Sequence, residues 1–223
     1  MTFRNRLQYL LVVRLQISNK EALNLIFSGK ILVNNIATKS NVELTQTDEV
    51  VYEGQILQEA KKLIYIAYYK PRGIETTLNV AIKDNLKAIL PFEEAIFPVG
   101  RLDKESEGLL LLTNDGTVYD RILRNENKTE KDYIVEVNKL ITADFLEKMS
   151  SGMIIIGKKT LPCKLIQMDD FTFKITLIQG LNRQIRRMCY KLDYEVLSLK
   201  RVRIGEVELG NLKAEEYQIL EML

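Results

Sequence analysis

Apolar residues recur along the chain at spacings that predict a small helical module followed by a longer region rich in strands. Leucines at helical spacing predict a first helix over residues 4–13. Ser18 and Glu21 have the spacing of a capping box, and Gly29 is placed to end the helix that they begin. The elements predicted next are a strand, a turn and a second strand, at 31–33, 34–35 and 50–52.

Beyond a polar connector predicted at 54–62, apolar runs that predict strands alternate with short helical patterns. The predicted strands lie at 64–69, 109–112, 133–137, 161–167, 172–178 and 195–202. The predicted helices lie at 118–125, 143–151 and 183–192. Several strands alternate with period two, and their order is not a regular strand–helix–strand repeat. We therefore expect an α+β fold with a mainly antiparallel, mixed sheet in residues 61–223, preceded by a small α/β domain in residues 1–60.

The composition fits a globular protein and excludes several kinds of chemistry. The chain has 223 residues, of which 46% are hydrophobic, enough for a well-buried core. It contains no His, which excludes His-based triads, His general bases and most zinc sites. Cys163 and Cys189 are far apart and match no metal or redox spacing, so we expect free thiols in a reducing compartment.

Positive charge is concentrated in two segments, although the formal net charge is only +2. Residues 1–40 carry six Lys and Arg against one acid, and residues 182–203 carry seven against two. The two segments could form one positive face for a polyanion, or they could be ordinary solvated surface. Charge alone leaves both interpretations open.

An apolar run after Arg4 and Arg6 imitates a signal peptide, but Arg14 interrupts it and no small-residue cleavage site follows. No stretch approaches the roughly 20 apolar residues of a membrane span. The sequence predicts a cytoplasmic protein without a membrane partner.

The densest local pattern is a charged loop, residues 100–108, that leads directly into four consecutive leucines at 109–112. A loop at the edge of a buried strand can hold a carboxylate such as Asp103 rigidly and partly away from water. Polar loops beside core strands are also routine, so these residues alone leave a plain surface loop as the commoner interpretation.

Gly100-Arg101-Leu102-Asp103, followed by Ser106-Glu107-Gly108-Leu109, resembles the central motif of RNA pseudouridine synthases, in particular the ribosomal RsuA, RluB, RluE and RluF branch. Further segments resemble the family in the same order, namely Lys70-Pro71-Arg72-Gly73, Glu130-Lys131-Asp132-Tyr133, 180–188 and 199–205. The resemblance covers residues 63 to about 220 and is fullest to the RluF type. Residues 1–60 resemble, with one expected arginine lost, the small RNA-binding domain of ribosomal protein S-four.

This resemblance implies an isomerase that converts a uridine to pseudouridine without a cofactor or a metal. Asp103 would be the catalytic carboxylate, attacking the sugar, attacking the base or removing a sugar proton. Arg186 would favour the ionised form of that carboxylate, and Tyr133 would stack on the flipped uracil unless it is a core residue. Arg101 would hold the nucleotide, and Ile185 would form an apolar wall.

The implied partner is ribosomal RNA, a structured stem-loop most similar to a large-subunit (23S) substrate, bound by a monomer. Lysines and arginines would contact its phosphates. The candidates are Lys20, Lys30, Lys70, Arg72, Arg183, Arg187, Lys200, Arg201 and Arg203.

Three alternatives stay open at this point. The chain could be a non-catalytic RNA-binding or ribosome-assembly protein, although retention of Asp103, Tyr133 and Arg186 argues against an inactive enzyme. It could be a synthase that acts on small-subunit (16S) ribosomal RNA or on transfer RNA. Glu105 and Glu107, two and four residues beyond Asp103, also allow a paired-carboxylate glycosidase, although the absence of Trp and the basic segments disfavour it.

Overall fold

The computed structural model describes residues 3–92, 95–123 and 129–222, apart from the side chains of Phe3, Asp120 and Leu123. The chain divides into two compact units, residues 1–63 and 64–223. None of the helices in the described ranges has both the length and the apolar character that a bilayer crossing requires.

The first unit packs two helices on a small antiparallel sheet. A 3₁₀ turn at Phe3–Asn5 is followed by α1 (Leu7–Leu15), α2 (Asn19–Phe27), β1 (Ile31–Val33), β2 (Ile36–Thr38), β3 (Val50–Tyr52) and β4 (Gln55–Gln58). The sheet order is β2-β1-β3-β4. The predicted capping box is present, because Ser18 Oγ accepts from the Glu21 amide and the Glu21 carboxylate accepts from the Ser18 amide at 2.8 Å. Leu7, Leu11 and Ile26 are fully buried between the layers.

Two strands of this unit were absent from the sequence prediction. Asn34 and Asn35 both have positive φ, 51° and 64°, and they form the two-residue hairpin turn that joins β1 to β2. The polar connector predicted at 54–62 is wrong in part, since β4 lies within it and pairs with β3. Its one deeply buried apolar residue, Leu57, packs in the core while the flanking Ile56 is half exposed. The strand therefore contains only two large apolar residues, too short a run to predict it.

The second unit contains one large sheet and a separate two-stranded hairpin. Its strands are β5 (Tyr65–Lys70), β6 (Phe97–Val99), β7 (Glu107–Thr113), β8 (Lys131–Val137), β9 (Ile154–Ile155), β10 (Lys158–Lys159), β11 (Lys164–Gln167), β12 (Thr172–Leu177), β13 (Val196–Ile204), β14 (Val207–Glu208) and β15 (Tyr217–Leu220). Its helices are α3 (Gly116–Leu123), α4 (Ala143–Ser151), α5 (Gln184–Lys191) and a 3₁₀ turn at Leu86–Ala88.

The strands in the described part of this unit pair in the order β11-β12-β8-β13-β7-β5-β15, with β14 beside β13 and β6 beside β7, while β9 and β10 form a separate hairpin. β13 and β7 run parallel, whereas their neighbours are antiparallel. The predicted α+β class with a mainly antiparallel, mixed sheet is therefore confirmed.

Apolar side chains cover both faces of β7, the strand that follows the charged loop. Leu109 and Leu111 belong to the cluster packed against α3, and Leu110 and Leu112 belong to a cluster on the opposite face. All four are fully buried, which explains why this central strand is a continuous apolar run without alternation. The strand thus provides a rigid base for the loop before it.

Several helices and strands begin or end at residues other than those predicted. The helix predicted at 118–125 begins earlier, at Gly116, and residues 124–125 lie outside the described ranges. The strand predicted from residue 161 begins at Lys164, because Pro162 has no amide hydrogen to donate. Short or exposed strands were not predicted from sequence: β6, β9, β10, β14 and β15.

Candidate active site

The charged loop that joins β6 to β7 is fastened by hydrogen bonds from the segment after β5. Thr76 Oγ donates to the carbonyl of Leu102 at 2.7 Å and accepts from its amide at 3.1 Å. The Gly73 amide donates to the carbonyl of Lys104 at 2.7 Å. These bonds restrain the backbone on both sides of Asp103, so its carboxylate is held in one place.

Asp103 is partly exposed, with 31% of its side chain accessible, and it faces a guanidinium. Arg183 Nη1 lies 3.8 Å from Asp103 Oδ2 and 2.8 Å from Glu105 Oε2. The hydrogen bond from Arg183 is the main reason that the pKa of Glu105 is lowered. Arg183 therefore connects the aspartate to a second carboxylate, that of Glu105.

The predicted partner of Asp103, Arg186, has a different set of bonds. Its Nη1 donates to the carbonyl of Val196 at 3.1 Å, and its Nη2 donates to the carbonyl of Glu105 at 3.0 Å. The direct ion pair with Asp103 comes from Arg183, and Arg186 holds the loop backbone, so the predicted contact is corrected. Burial lowers the pKa of Arg186 and the charge of Asp103 acts to raise it, so the two charges still interact.

Asp103 opens onto a cavity of about 530 Å³ in the second unit. Three other residues predicted for the site, Arg101, Tyr133 and Ile185, line the same cavity. Tyr133 is half-buried on β8, and Ile185 is 4% exposed at the start of α5. The structure thus brings together residues that are more than 80 positions apart in the sequence, and Asp103 is the one carboxylate among the described residues that line the cavity.

Lys70 is fully buried, which contradicts the predicted phosphate contact. Its ammonium donates to the carbonyls of Pro71 at 2.8 Å and Ile74 at 2.6 Å, and so closes the turn after β5. Burial lowers the pKa of Lys70 to about 8, while the nearby carboxylates of Glu107 and Asp103 act in the opposite direction. Its role is to shape the segment that restrains the loop.

Arg201 also differs from its prediction as a phosphate contact, since it is only 4% exposed. Its Nε donates to the carbonyl of Leu109 at 2.7 Å, and its Nη1 lies 3.4 Å from the carbonyl of Arg101. The side chain lines the cavity and ties the loop to β13. It is a buried structural cation beside the site.

Arg203 was also predicted to contact phosphates. Its guanidinium is instead bound to carboxylates. It donates to Asp132 Oδ2 at 2.9 Å and to Glu130 Oε2 at 2.8 Å, and Lys174 adds a second cation at 2.8 Å from Asp132. Burial acts to raise the pKa of Asp132, but hydrogen bonds from Arg203, Lys174 and Thr176 outweigh it and lower the pKa. The cluster fastens β8 to β12 and β13.

The remaining predicted cations are accessible. Arg72, Arg183 and Arg187 are exposed or half-buried, and Lys200 is half-buried with its ammonium 5.5 Å from the centre of the Tyr69 ring. In the first unit, Lys20 and Lys30 are both exposed. Their placement permits phosphate contacts, and these assignments stay predictions.

Two polar cavity residues, Lys131 and Gln184, lie in segments that resemble the family, but no role in the site was predicted for them. Lys131 lines the cavity two positions before Tyr133, on the same face of β8, and burial lowers its pKa. The period-two geometry of a strand could have revealed it. Gln184 is 4% exposed, and its Oε1 accepts from the Leu181 amide at 3.0 Å. Apart from its place in the segment 180–188 that resembles the family, no pattern in the sequence distinguishes Gln184 from a surface glutamine.

The geometry disfavours a paired-carboxylate glycosidase. A glycosidase would need a second carboxylate in the cavity, and Glu105 is instead paired with Arg183 at 2.8 Å. Across the described ranges, no group of three or more Cys, Asp or Glu residues is arranged to hold a metal ion. The described lining of the cavity provides one carboxylate, two tyrosine rings and several cations.

Comparisons with known proteins agree with this geometry. The family model described as RNA pseudouridylate synthase matches residues 64–191. The chain is 41% identical to the dual-specificity RNA pseudouridine synthase RluF of Escherichia coli, over 91% of this chain and 71% of RluF. It is 31% identical to the ribosomal large subunit pseudouridine synthase B of Bacillus subtilis, over 87% and 83% of the two chains. A crystal structure of a pseudouridylate synthase, 27% identical, superposes with a TM-score of 0.67 and covers 96% of this chain and 95% of that one.

Proposed function

The chain belongs to the RNA pseudouridylate synthase family, and from this premise we propose that it isomerises a specific uridine of large-subunit (23S) ribosomal RNA, with Asp103 as the catalytic carboxylate. The observation that carries the proposal is the position of Asp103, the one described carboxylate in a cavity that also holds Tyr133 and Arg183. In this role the protein acts as a monomer in ribosome biogenesis in the cytoplasm.

The chemistry balances without an external group. The bond between N1 of uracil and C1′ of the sugar breaks, the uracil rotates within the site, and C5 forms the new bond to C1′. The proton that leaves C5 is balanced by the proton that N1 carries in the product. A cavity of about 530 Å³ lies within the roughly 300–1,000 Å³ range of small-ligand sites and can hold a uridine extruded from the RNA.

Each residue of the site has a proposed part in this reaction. The ionised carboxylate of Asp103 attacks the sugar, attacks the base or removes a sugar proton, and all three roles require its negative charge, which faces Arg183 at 3.8 Å. Tyr133 stacks on the extruded uracil, and Ile185 completes the apolar wall. Arg101, which lines the cavity, holds the nucleotide. Arg186 positions the loop through the Glu105 carbonyl.

The choice of ribosomal RNA is supported by the relatives. The Bacillus subtilis relative is named for the large ribosomal subunit, and RluF is named for dual specificity. The second name is a reason to examine transfer RNA as well as both ribosomal subunits.

A pseudouridine map of total ribosomal and transfer RNA tests the proposal. We expect a strain that lacks the protein to lose pseudouridine at a discrete large-subunit site, and we expect the wild-type gene to restore it. Carbodiimide adducts detected by primer extension provide the measurement. A site lost from small-subunit or transfer RNA would change the substrate, and an unchanged map would leave an RNA-binding role as the better explanation.

We further propose that the first unit, residues 1–63, contributes to RNA capture through the exposed Lys20 and Lys30. Each lost phosphate contact flattens the plot of log affinity against log salt by about 0.7 to 0.9. We expect the Lys20→Gln, Lys30→Gln double variant to lose between one and two units of slope and to bind ribosomal RNA several-fold more weakly at low salt. Filter binding at several salt concentrations measures both.

A matched control is the Lys87→Gln, Lys164→Gln double variant, which removes two exposed lysines of the second unit that have no proposed RNA contact. Its net charge change is the same. An equal loss of slope in the two double variants would mean that the first unit contributes only general charge.

A further inference from the structure

A second cavity, about 610 Å³ in volume, lies between the β9–β10 hairpin and α5. The tip of the hairpin is unusual because Ile156 has a positive φ of 43° and Gly157 follows with 72°. A β-branched residue rarely adopts this conformation, which costs free energy that glycine or asparagine would avoid. Ile154 and Ile156 are 59% and 54% exposed, so this strained turn presents apolar side chains to solvent.

The hairpin is attached to the helix that borders the candidate active site. Lys191 Nζ, at the end of α5, donates to the carbonyl of Ile154 at 2.9 Å. Tyr190, the residue before it, is 82% exposed and lines the second cavity. An aromatic ring and two isoleucines therefore flank one concave surface.

The charges around this cavity are strongly one-sided. Its described lining includes the cations Arg183, Arg186, Arg187 and Lys191, and a single carboxylate, Glu195. Arg187 is oriented by hydrogen bonds from its Nε and Nη2 to Asn182. A positive concave surface with an exposed aromatic ring fits a phosphodiester strand whose bases are unstacked.

The second cavity and the candidate active site share one lining residue, Arg183, so the two cavities are neighbours. Resting on the proposed function, we propose that the second cavity binds a single-stranded nucleotide of the substrate RNA close to the target uridine. Tyr190 and the isoleucines of the hairpin contact its base, and Arg183 and Arg187 contact its phosphates. The positive surface of α5 favours RNA as the occupant over an apolar or basic protein segment.

Substitutions at the exposed ring and at the strained turn test this proposal in the full-length protein. Tyr190→Ala removes the stacking ring and is expected to weaken RNA binding about tenfold, or about 1.4 kcal/mol. Tyr190→Phe retains the ring and is expected to bind as the wild type does. Ile156→Gly relieves the positive φ, so we expect an equal or higher melting temperature together with several-fold weaker RNA binding.

Ile166→Ala is the matched control, because Ile166 is 63% exposed on β11 and lines neither cavity. Binding is measured by fluorescence anisotropy with an in vitro transcribed, unmodified 23S ribosomal RNA fragment, and pseudouridine formation is measured on the same RNA. Wild-type binding by both Tyr190→Ala and Ile156→Gly would overturn the proposal while leaving the proposed function intact. If the wild type binds RNA but forms no pseudouridine, the proposed function fails, and the binding of the variants still decides the role of the second cavity.

Discussion

Asp103→Asn is expected to lower the rate of pseudouridine formation at least about a thousandfold, because the substitution removes the charge that each possible role of the carboxylate requires. Asparagine is nearly isosteric, and the bonds that restrain the loop come from the backbone and from Thr76. RNA affinity is therefore expected to stay within about threefold of the wild type. Single-turnover kinetics with excess protein, together with filter binding, separates the two quantities.

Glu105→Gln is the matched control for Asp103→Asn. Glu105 carries the same charge two positions away and is paired with Arg183 at 2.8 Å, but it does not line the described cavity. We expect its substitution to reduce the rate by less than about tenfold, through a looser Arg183. Equal losses in the two variants would favour paired-carboxylate chemistry, and equal loss of binding and rate in Asp103→Asn would make Asp103 a structural residue.

The local sequence predicted correctly those structural features that depend on a single segment. The helix predicted at 143–151 is α4, and the capping box at Ser18 is formed as expected. The four leucines of β7 are fully buried, as a continuous apolar run in a central strand requires. The fold class follows from many such segments together, so errors at their ends did not change it.

The cations were harder to assign because their environment depends on distant segments. Arg201 and Arg203 lie on β13, which pairs with β7 on one side and β8 on the other. Their guanidinium groups therefore meet backbone carbonyls and carboxylates from those neighbours before they meet solvent. The sequence of residues 199–205 does not reveal that this strand is central. From the local sequence, an arginine in it could therefore be either a buried cation or a phosphate contact.

The exchange of roles between Arg183 and Arg186 has a similar physical cause. Helical spacing from 183 to 186 predicts that both side chains share a face of one helix. Arg183 is instead the residue before α5, in a left-handed conformation with φ of 51°. Its side chain leaves the helical pattern and reaches Asp103 and Glu105. A backbone reversal at one residue therefore decides which arginine pairs with the aspartate.

Gly108→Ala is expected to destabilise the second unit by at least about 4 kcal/mol, because the backbone at this position leaves no room for a side chain. Gly108 has a positive φ of 99°, and it pairs with Arg201 where β7 and β13 run parallel. An added Cβ would overlap the Arg201 carbonyl oxygen and lie 2.9 Å from its amide nitrogen. All of these obstacles are backbone atoms of a central strand, which cannot move aside as a flexible side chain could.

Gly210→Ala separates the steric clash from the cost of positive φ alone, since Gly210 has a φ of 57° and its added Cβ would meet nothing within 4 Å. We expect about 1 kcal/mol for Gly210→Ala. Calorimetry should show a fall in melting temperature of at least about 8 °C for Gly108→Ala, and only a few degrees for the control. Similar shifts would mean that β7 and β13 can separate at little cost. A large difference would mean that the close approach of the two strands fixes Arg201, and with it the loop that carries Asp103.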